Sequence, residues 1–82
     1  TDSPEFKKTW EEGRAEYKLI GEMISLRKQE GITQSQLAVI TGNKQQVISR
    51  IEQREHVPSL KLFSNILDAL GYEIKIVKKQ TP

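Results

Sequence analysis

Few residues of this chain could do acid–base or nucleophilic chemistry, and none are spaced to do it together. The sequence holds one histidine, His56, and no cysteine. A lone histidine offers no metal pair. Without cysteine there is no disulfide, no thiol nucleophile and no thiolate metal site. Glu11 and Glu12 are adjacent, so on a helix they point in different directions. The glycines (Gly13, Gly21, Gly31, Gly42 and Gly71) are scattered and build no phosphate loop. With no nucleophile–base–orienter set, the reading is of a protein that is not an enzyme and needs no cofactor or metal. What remains is hydrogen bonding and charge on polar side chains spread along the chain.

Composition limits what can position those groups. Eighty-two residues make one domain, here 1–82, near the lower end of what folds alone. Hydrophobic residues are 35% and charged residues 29%, enough for one small core under a charged surface. The charge-free stretch Ile32 to Asn43 contains Thr, Gln, Ser and Asn and is not the run of about 20 apolar residues that a membrane span needs. No signal-peptide pattern opens the chain. With the absence of cysteine, this leads to an expectation of cytoplasmic residence. Net charge is +2, too small to name a partner. Residues 1–30 carry net −1, while 33–54 and 61–82 each carry +2.

The elements follow from period and caps. Pro4 to Glu30 reads as a helix, with Ser3 as N-cap and Pro4 at its first position. Tyr17, Ile20, Ile24 and Arg27 form a row at helical spacing, with Leu19, Met23 and Leu26 beside it. Gly13 and Gly21 each cost about 1 kcal/mol relative to Ala, so a break near Gly13 is expected. Gly31 is a stop. Thr33 caps a short helix, Gln34 to Thr41, with Gln36 at the capping-box position. Gly42-Asn43 turns the chain. A third helix runs from Lys44 or Gln45 to Gln53, with Val47, Ile48 and Ile51 inward and Gln45, Gln46, Ser49, Arg50 and Gln53 outside that stripe. After a loop, Ser59 caps a fourth helix bearing Leu60, Phe63, Ile66, Leu67 and Leu70, which Gly71 ends. Tyr72, Ile74 and Ile76 then alternate with polar residues, which reads as a strand over 72–78. A lone strand needs a partner, and the same strand of a second copy is the economical one.

Two short helices joined by a glycine-containing turn, framed by longer helices, describe a helix-turn-helix. The run Arg27…Gly31-Ile32-Thr33-Gln34-x-x-Leu37-Ala38…Gly42…Gln46-Val47-Ile48-Ser49-Arg50-Ile51-Glu52 resembles the Cro/C1-type (XRE) DNA-binding family. The fold expected is all-α and lambda-repressor-like, with four to five helices and one short C-terminal β-strand that pairs across a dimer. The family-like core covers 20–71, behind an N-terminal extension at 1–16. Val57-Pro58-Ser59-Leu60, the helix ending Ala69-Leu70-Gly71 and the terminal strand are similar to HigA-type and HipB-type antitoxins of toxin–antitoxin modules. Two positions depart from the family. Thr41 stands where an apolar residue is usual, which leaves Ile40 either to take up that burial or to stand as an exposed apolar contact. The connector Gln53-Arg54-Glu55-His56 lacks the glycine often found there.

The resemblance places the third helix in the major groove with Gln45, Gln46, Ser49 and Arg50 on base edges. The chemistry suits them: glutamine pairs with adenine N6 and N7, and arginine with guanine O6 and N7. Gln34, Asn43, Lys44 and Arg54 are the phosphate candidates. The resemblance also implies a partly buried ion pair between Arg27 and Glu52. A dimer on a palindromic operator would use Tyr72, Ile74, Ile76 and Val77 as its interface. Two functions compete. One is an antitoxin that represses its own operon and neutralises a small basic RelE/HigB-like ribonuclease through an aromatic and acidic surface at Phe6, Trp10, Glu11 and Glu12. The other is a stand-alone repressor. A third reading, a protein-binding adaptor without DNA binding, leaves Gln45, Gln46 and Arg50 without a purpose.

Overall fold

The computed structural model describes the backbone of residues 4–80 and the side chains of residues 15–80. Four helices follow in order: α1 (Pro4–Gln29), α2 (Gln34–Thr41), α3 (Gln45–Glu52) and α4 (Leu60–Ala69). The core gathers Ile20 and Met23 of α1, Leu37 and Ala38 of α2, Ile48 and Ile51 of α3, and Phe63, Ile66, Leu67 and Leu70 around α4.

In α1 the buried row is Ile20, Met23 and Arg27, with Ile24 and Leu26 half-buried beside it. Of the expected row, Ile20, Ile24 and Arg27 do face inward, whereas Tyr17, and Leu19 of the row beside it, stand exposed. The apolar face is wide, and Met23, flexible and unbranched, takes the centre. The helix runs through Gly13 and Gly21 without the expected break. A Cβ placed at Gly21 would lie 3.4 Å from Arg54 Nη2, the movable end of that side chain.

The short helices are defined by their ends. Thr33 Oγ1 accepts from Gln36 N–H while Gln36 Oε1 accepts from Thr33 N–H, a complete capping box. At the other end of α2, Gly42 is left-handed (φ 72°). Asn43 N–H bonds to Ala38 O and Gly42 N–H to Val39 O, the pair of bonds that closes a Schellman motif. Thr41 is half-buried and does not need an apolar substitute. Its hydroxyl donates to Leu37 O at 2.8 Å and accepts from Asn43 Nδ2 at 3.0 Å. Ile40 accordingly remains exposed.

Lys44 occupies the N-cap of α3 and supplies no side-chain cap. The far end of α3 closes like α2: Glu55 N–H bonds to Arg50 O and Arg54 N–H to Ile51 O. Here the left-handed residue is Arg54 (φ 61°) rather than glycine. Ser59 Oγ caps α4 by accepting from Leu62 N–H.

The strand expected over 72–78 is not formed: residues 73–80 have no regular secondary structure. A strand is stabilised by the ladder it joins, and the helices of this single chain present none. Tyr72 belongs to the core margin instead. Its ring packs on the core cluster and its hydroxyl donates to Glu30 Oε2 at 3.2 Å. Desolvation first, and then the Glu30 carboxylate, hold that phenol above its ordinary value.

Candidate nucleic-acid interface

Two isoleucines on one side of α3, Ile48 and Ile51, are fully buried. They fix the rotation of the helix and so decide what faces out. Gln45, Gln46 and Arg50 are exposed and Ser49 is half-buried. Gln45 and Ser49 are four apart, as are Gln46 and Arg50, so they form two adjacent rows on the outward face. The residues expected at base edges therefore share one surface. Among the described residues, the side chains of Gln46 and Arg50 enter no hydrogen bond with other protein groups. Gln45 Oε1 accepts from the Ser35 hydroxyl at 2.8 Å. Ser49 Oγ accepts from Gln53 Nε2 at 3.3 Å, so its own hydrogen is free to donate outward.

A buried polar joint holds this face against the rest of the fold. Arg27 Nε donates to Glu52 Oε2 at 2.7 Å and Arg27 Nη2 to Glu52 Oε1 at 3.0 Å. Arg27 Nη1 donates to Ile32 O at 2.9 Å. Arg27 is 8% exposed. The expected ion pair is thus present, bidentate and tied to the backbone that enters α2. No buried side-chain nitrogen or oxygen among the described residues lacks a partner, which such a joint requires.

The phosphate candidates divide. Lys44 is exposed and stands at the start of α3 with no capping duty. Asn43 is half-buried, and Nδ2 donates to both Thr41 O and Thr41 Oγ1. Its amide hydrogens serve the turn. Gln34 Nε2 donates to Glu52 Oε1 at 2.9 Å, leaving one amide hydrogen for another acceptor. Arg54 folds back, with Nη1 on Glu52 O at 3.0 Å and Nη2 beside Gly21. Because Arg27 neutralises Glu52, the outward charges around α3 are Lys44, Arg50 and Arg54, with Glu55 opposing them at the far end.

Elsewhere the structure separates what the sequence grouped. Of the four expected interface residues, Tyr72 turns inward, while Ile74, Ile76 and Val77 are exposed, Ile76 at 99%. The side chains of Phe6, Trp10, Glu11 and Glu12 lie outside the described residues. Spacing in the sequence did not anticipate the contact of Ser35 with Gln45 across the turn. Among the described residues, no group of His, Asp or Glu could hold a metal ion. None of the described helices is long and apolar enough to cross a membrane.

Comparison with known proteins agrees with this architecture. A helix-turn-helix family model matches residues 23–77. A Haemophilus influenzae protein described as an uncharacterized HTH-type transcriptional regulator is 42% identical over 59 residues, covering 72% of this chain and 60% of the relative. The chain thus spans about 60% of the length of that relative. No solved structure matches.

Proposed function

Because the chain belongs to the helix-turn-helix family of Cro/C1 (XRE) type, we propose that it is a transcriptional regulator that binds double-stranded DNA sequence-specifically, with α3 in the major groove. The observation that carries this reading is the outward face of α3. It presents two amides, a hydroxyl and a guanidinium, groups that match base edges, and it is rigidly backed by Ile48, Ile51 and the Arg27–Glu52 joint. Lys44 supplies a phosphate contact at the helix start. Gln34 adds its remaining amide hydrogen, while Asn43 and Arg54 act first on the loops that flank α3. The reading assigns no catalytic step.

One such domain makes few phosphate contacts, so the proposal includes a homodimer on a palindromic operator with half-sites roughly 34 Å apart. The exposed Ile74, Ile76 and Val77 form the self-association surface. An antitoxin role, with a small basic ribonuclease as partner, would rest on the N-terminal extension and on likeness to HigA-type and HipB-type proteins. The stand-alone regulator accounts for the described residues without that extra partner and is the reading adopted.

The test is selection of duplexes from a randomised library, followed by anisotropy titration of the enriched duplex at two salt concentrations. The expected result is one enriched palindrome whose affinity falls as salt rises. Failure to enrich any sequence would overturn the reading. A small basic protein that co-purifies and binds the extension would move the assignment to the antitoxin.

A further inference from the structure

We infer that the apolar groove between α1 and α4 is the docking site for the C-terminal arm, residues 74–79, of a second copy of this chain. The inference rests on the homodimer proposed above and names the surface that receives Ile76 and Val77. Two recesses lie along the seam of α1 and α4, and both are walled by Leu19, Leu60 and Phe63. They therefore make one groove. Phe63 is a buried core residue at its floor, whereas Leu19 and Leu60 stand exposed, Leu60 at 75%. Contiguous exposed apolar surface of this kind marks an interaction site.

The arm matches the groove in chemistry, charge and length. Ile74, Ile76 and Val77 are exposed apolar side chains. Glu16 lines one recess, and Glu22 and Glu73 line the other. The one basic residue in either wall is Lys75, which lies 3.7 Å from Glu73. Beyond that pair the arm carries Lys78 and Lys79 and no acidic residue. Opposite charges on arm and groove steer the two together and fix their register. Six extended residues span about 20 Å, enough to cover the stretch of α1 from Glu16 to Leu26, which is about 15 Å long.

The arm does not fill the groove of its own chain. Tyr72 holds its root, with the ring on the core and the hydroxyl on Glu30. Glu73, Ile74 and Lys75 then form a wall of the groove, and the chain leaves it with Ile76 fully exposed. A second copy related by a two-fold axis supplies the missing arm and receives one in return, the reciprocal contact of a symmetric dimer. No wall of the groove comes from α2 or α3, so the exchange leaves the outward face of α3 open on both copies.

The test uses full-length chains that fail for different reasons. Leu60→Lys spoils the groove and keeps the arm. Ile76→Lys with Val77→Lys spoils the arm and keeps the groove. In sedimentation velocity each variant alone should dimerise about 10- to 100-fold more weakly than wild type, the equivalent of one buried aliphatic side chain. Leu19→Lys, on the opposite wall, should act like Leu60→Lys, and the melting curves should stay close to that of the wild-type monomer. Mixed in equal amounts, the groove variant and the arm variant should form a heterodimer through their one intact contact, at a concentration where each alone is monomeric. Groove variants that dimerise like wild type, or a mixture that stays monomeric, would overturn the inference and leave arm-to-arm pairing as the dimer contact. A wild-type chain that stays monomeric throughout would remove the homodimer itself, and the docking of the arm with it.

Discussion

Gln34 and Arg27 donate to the same oxygen of Glu52, Gln34 Nε2 at 2.9 Å and Arg27 Nη2 at 3.0 Å. The last residue of α3 is thereby joined to the first residue of α2 and to the late part of α1. Three helices are locked at one carboxylate, directly behind the face that carries Gln46 and Arg50. Burial makes this joint costly to break from one side.

Glu52→Leu leaves the Arg27 guanidinium buried without its counter-charge. The expected loss is about 3–5 kcal/mol of unfolding free energy in urea denaturation. Adding Arg27→Met should return much of that loss. If the single change costs under about 1 kcal/mol, the joint does not act as a buried pair.

Arg54 occupies a left-handed conformation that glycine adopts without strain. Arg54→Gly should therefore raise stability by about 0.5–1 kcal/mol, even after loss of the bond to Glu52 O. Arg54→Val should lower it by about 1 kcal/mol or more, since a β-branched residue fits that region poorly. Thermal melts of the two variants should move in opposite directions.

Two glycines should also respond with opposite signs. At Gly21 an added Cβ meets only the movable end of Arg54, and alanine gains about 1 kcal/mol of helix propensity. Gly42→Ala meets nothing within 4 Å, yet must hold a φ of 72° and should lose about 1 kcal/mol. Calorimetric comparison checks both. A stabilised Gly42→Ala would mean that the turn relaxes out of its left-handed form.

On DNA, Arg50→Ala and Lys44→Ala should fail differently. Arg50→Ala is expected to lose about 1–3 kcal/mol of discrimination at its base pair. Lys44→Ala should weaken all duplexes alike and lower the slope of log affinity against log salt by about 1. Titrations of cognate and scrambled duplexes separate the two. A uniform loss for Arg50→Ala would assign it to the phosphates.

Ile76 and Val77 are exposed apolar residues that no helix covers. If the chain forms the proposed dimer through them, the double change Ile76→Lys with Val77→Lys should shift it to monomer in light scattering and leave the melting curve nearly unchanged. An unaltered dimer mass would place the self-association surface elsewhere.

Much of the fold was legible because its signals are local. Thr33 with Gln36, Ser59, Gly31, Gly42 and Gly71 mark helix ends through bonds to residues a few positions away. Ile48 and Ile51 betray the inward side of α3 by spacing alone, so the outward residues follow. The width of the inward face of α1 was less legible. Its apolar residues cover about half the helix, and spacing alone does not show that Met23 takes the centre while Tyr17 and Leu19 stand exposed. The roles of Asn43 and Arg54 were hidden for another reason: amides and guanidiniums serve loop closure and phosphate binding equally well, and only the turn geometry selects the first. The alternation at 72–78 described residue types suited to a ladder that this single chain does not supply.

One difference between the short helices bears on their motion. Thr33 and Ser59 tie down the opening turns of α2 and α4, whereas Lys44 leaves the opening turn of α3 without such a latch. The third amide of α3, Val47 N–H, accordingly has only the Lys44 carbonyl, at 3.0 Å, where Gln36 and Leu62 each have a side-chain oxygen as well. In the free chain it should exchange with deuterium sooner than those two amides. A negatively charged oxygen settling at that tip would act as the missing latch, so that docking on a duplex would also quiet the fraying of the helix that reads it.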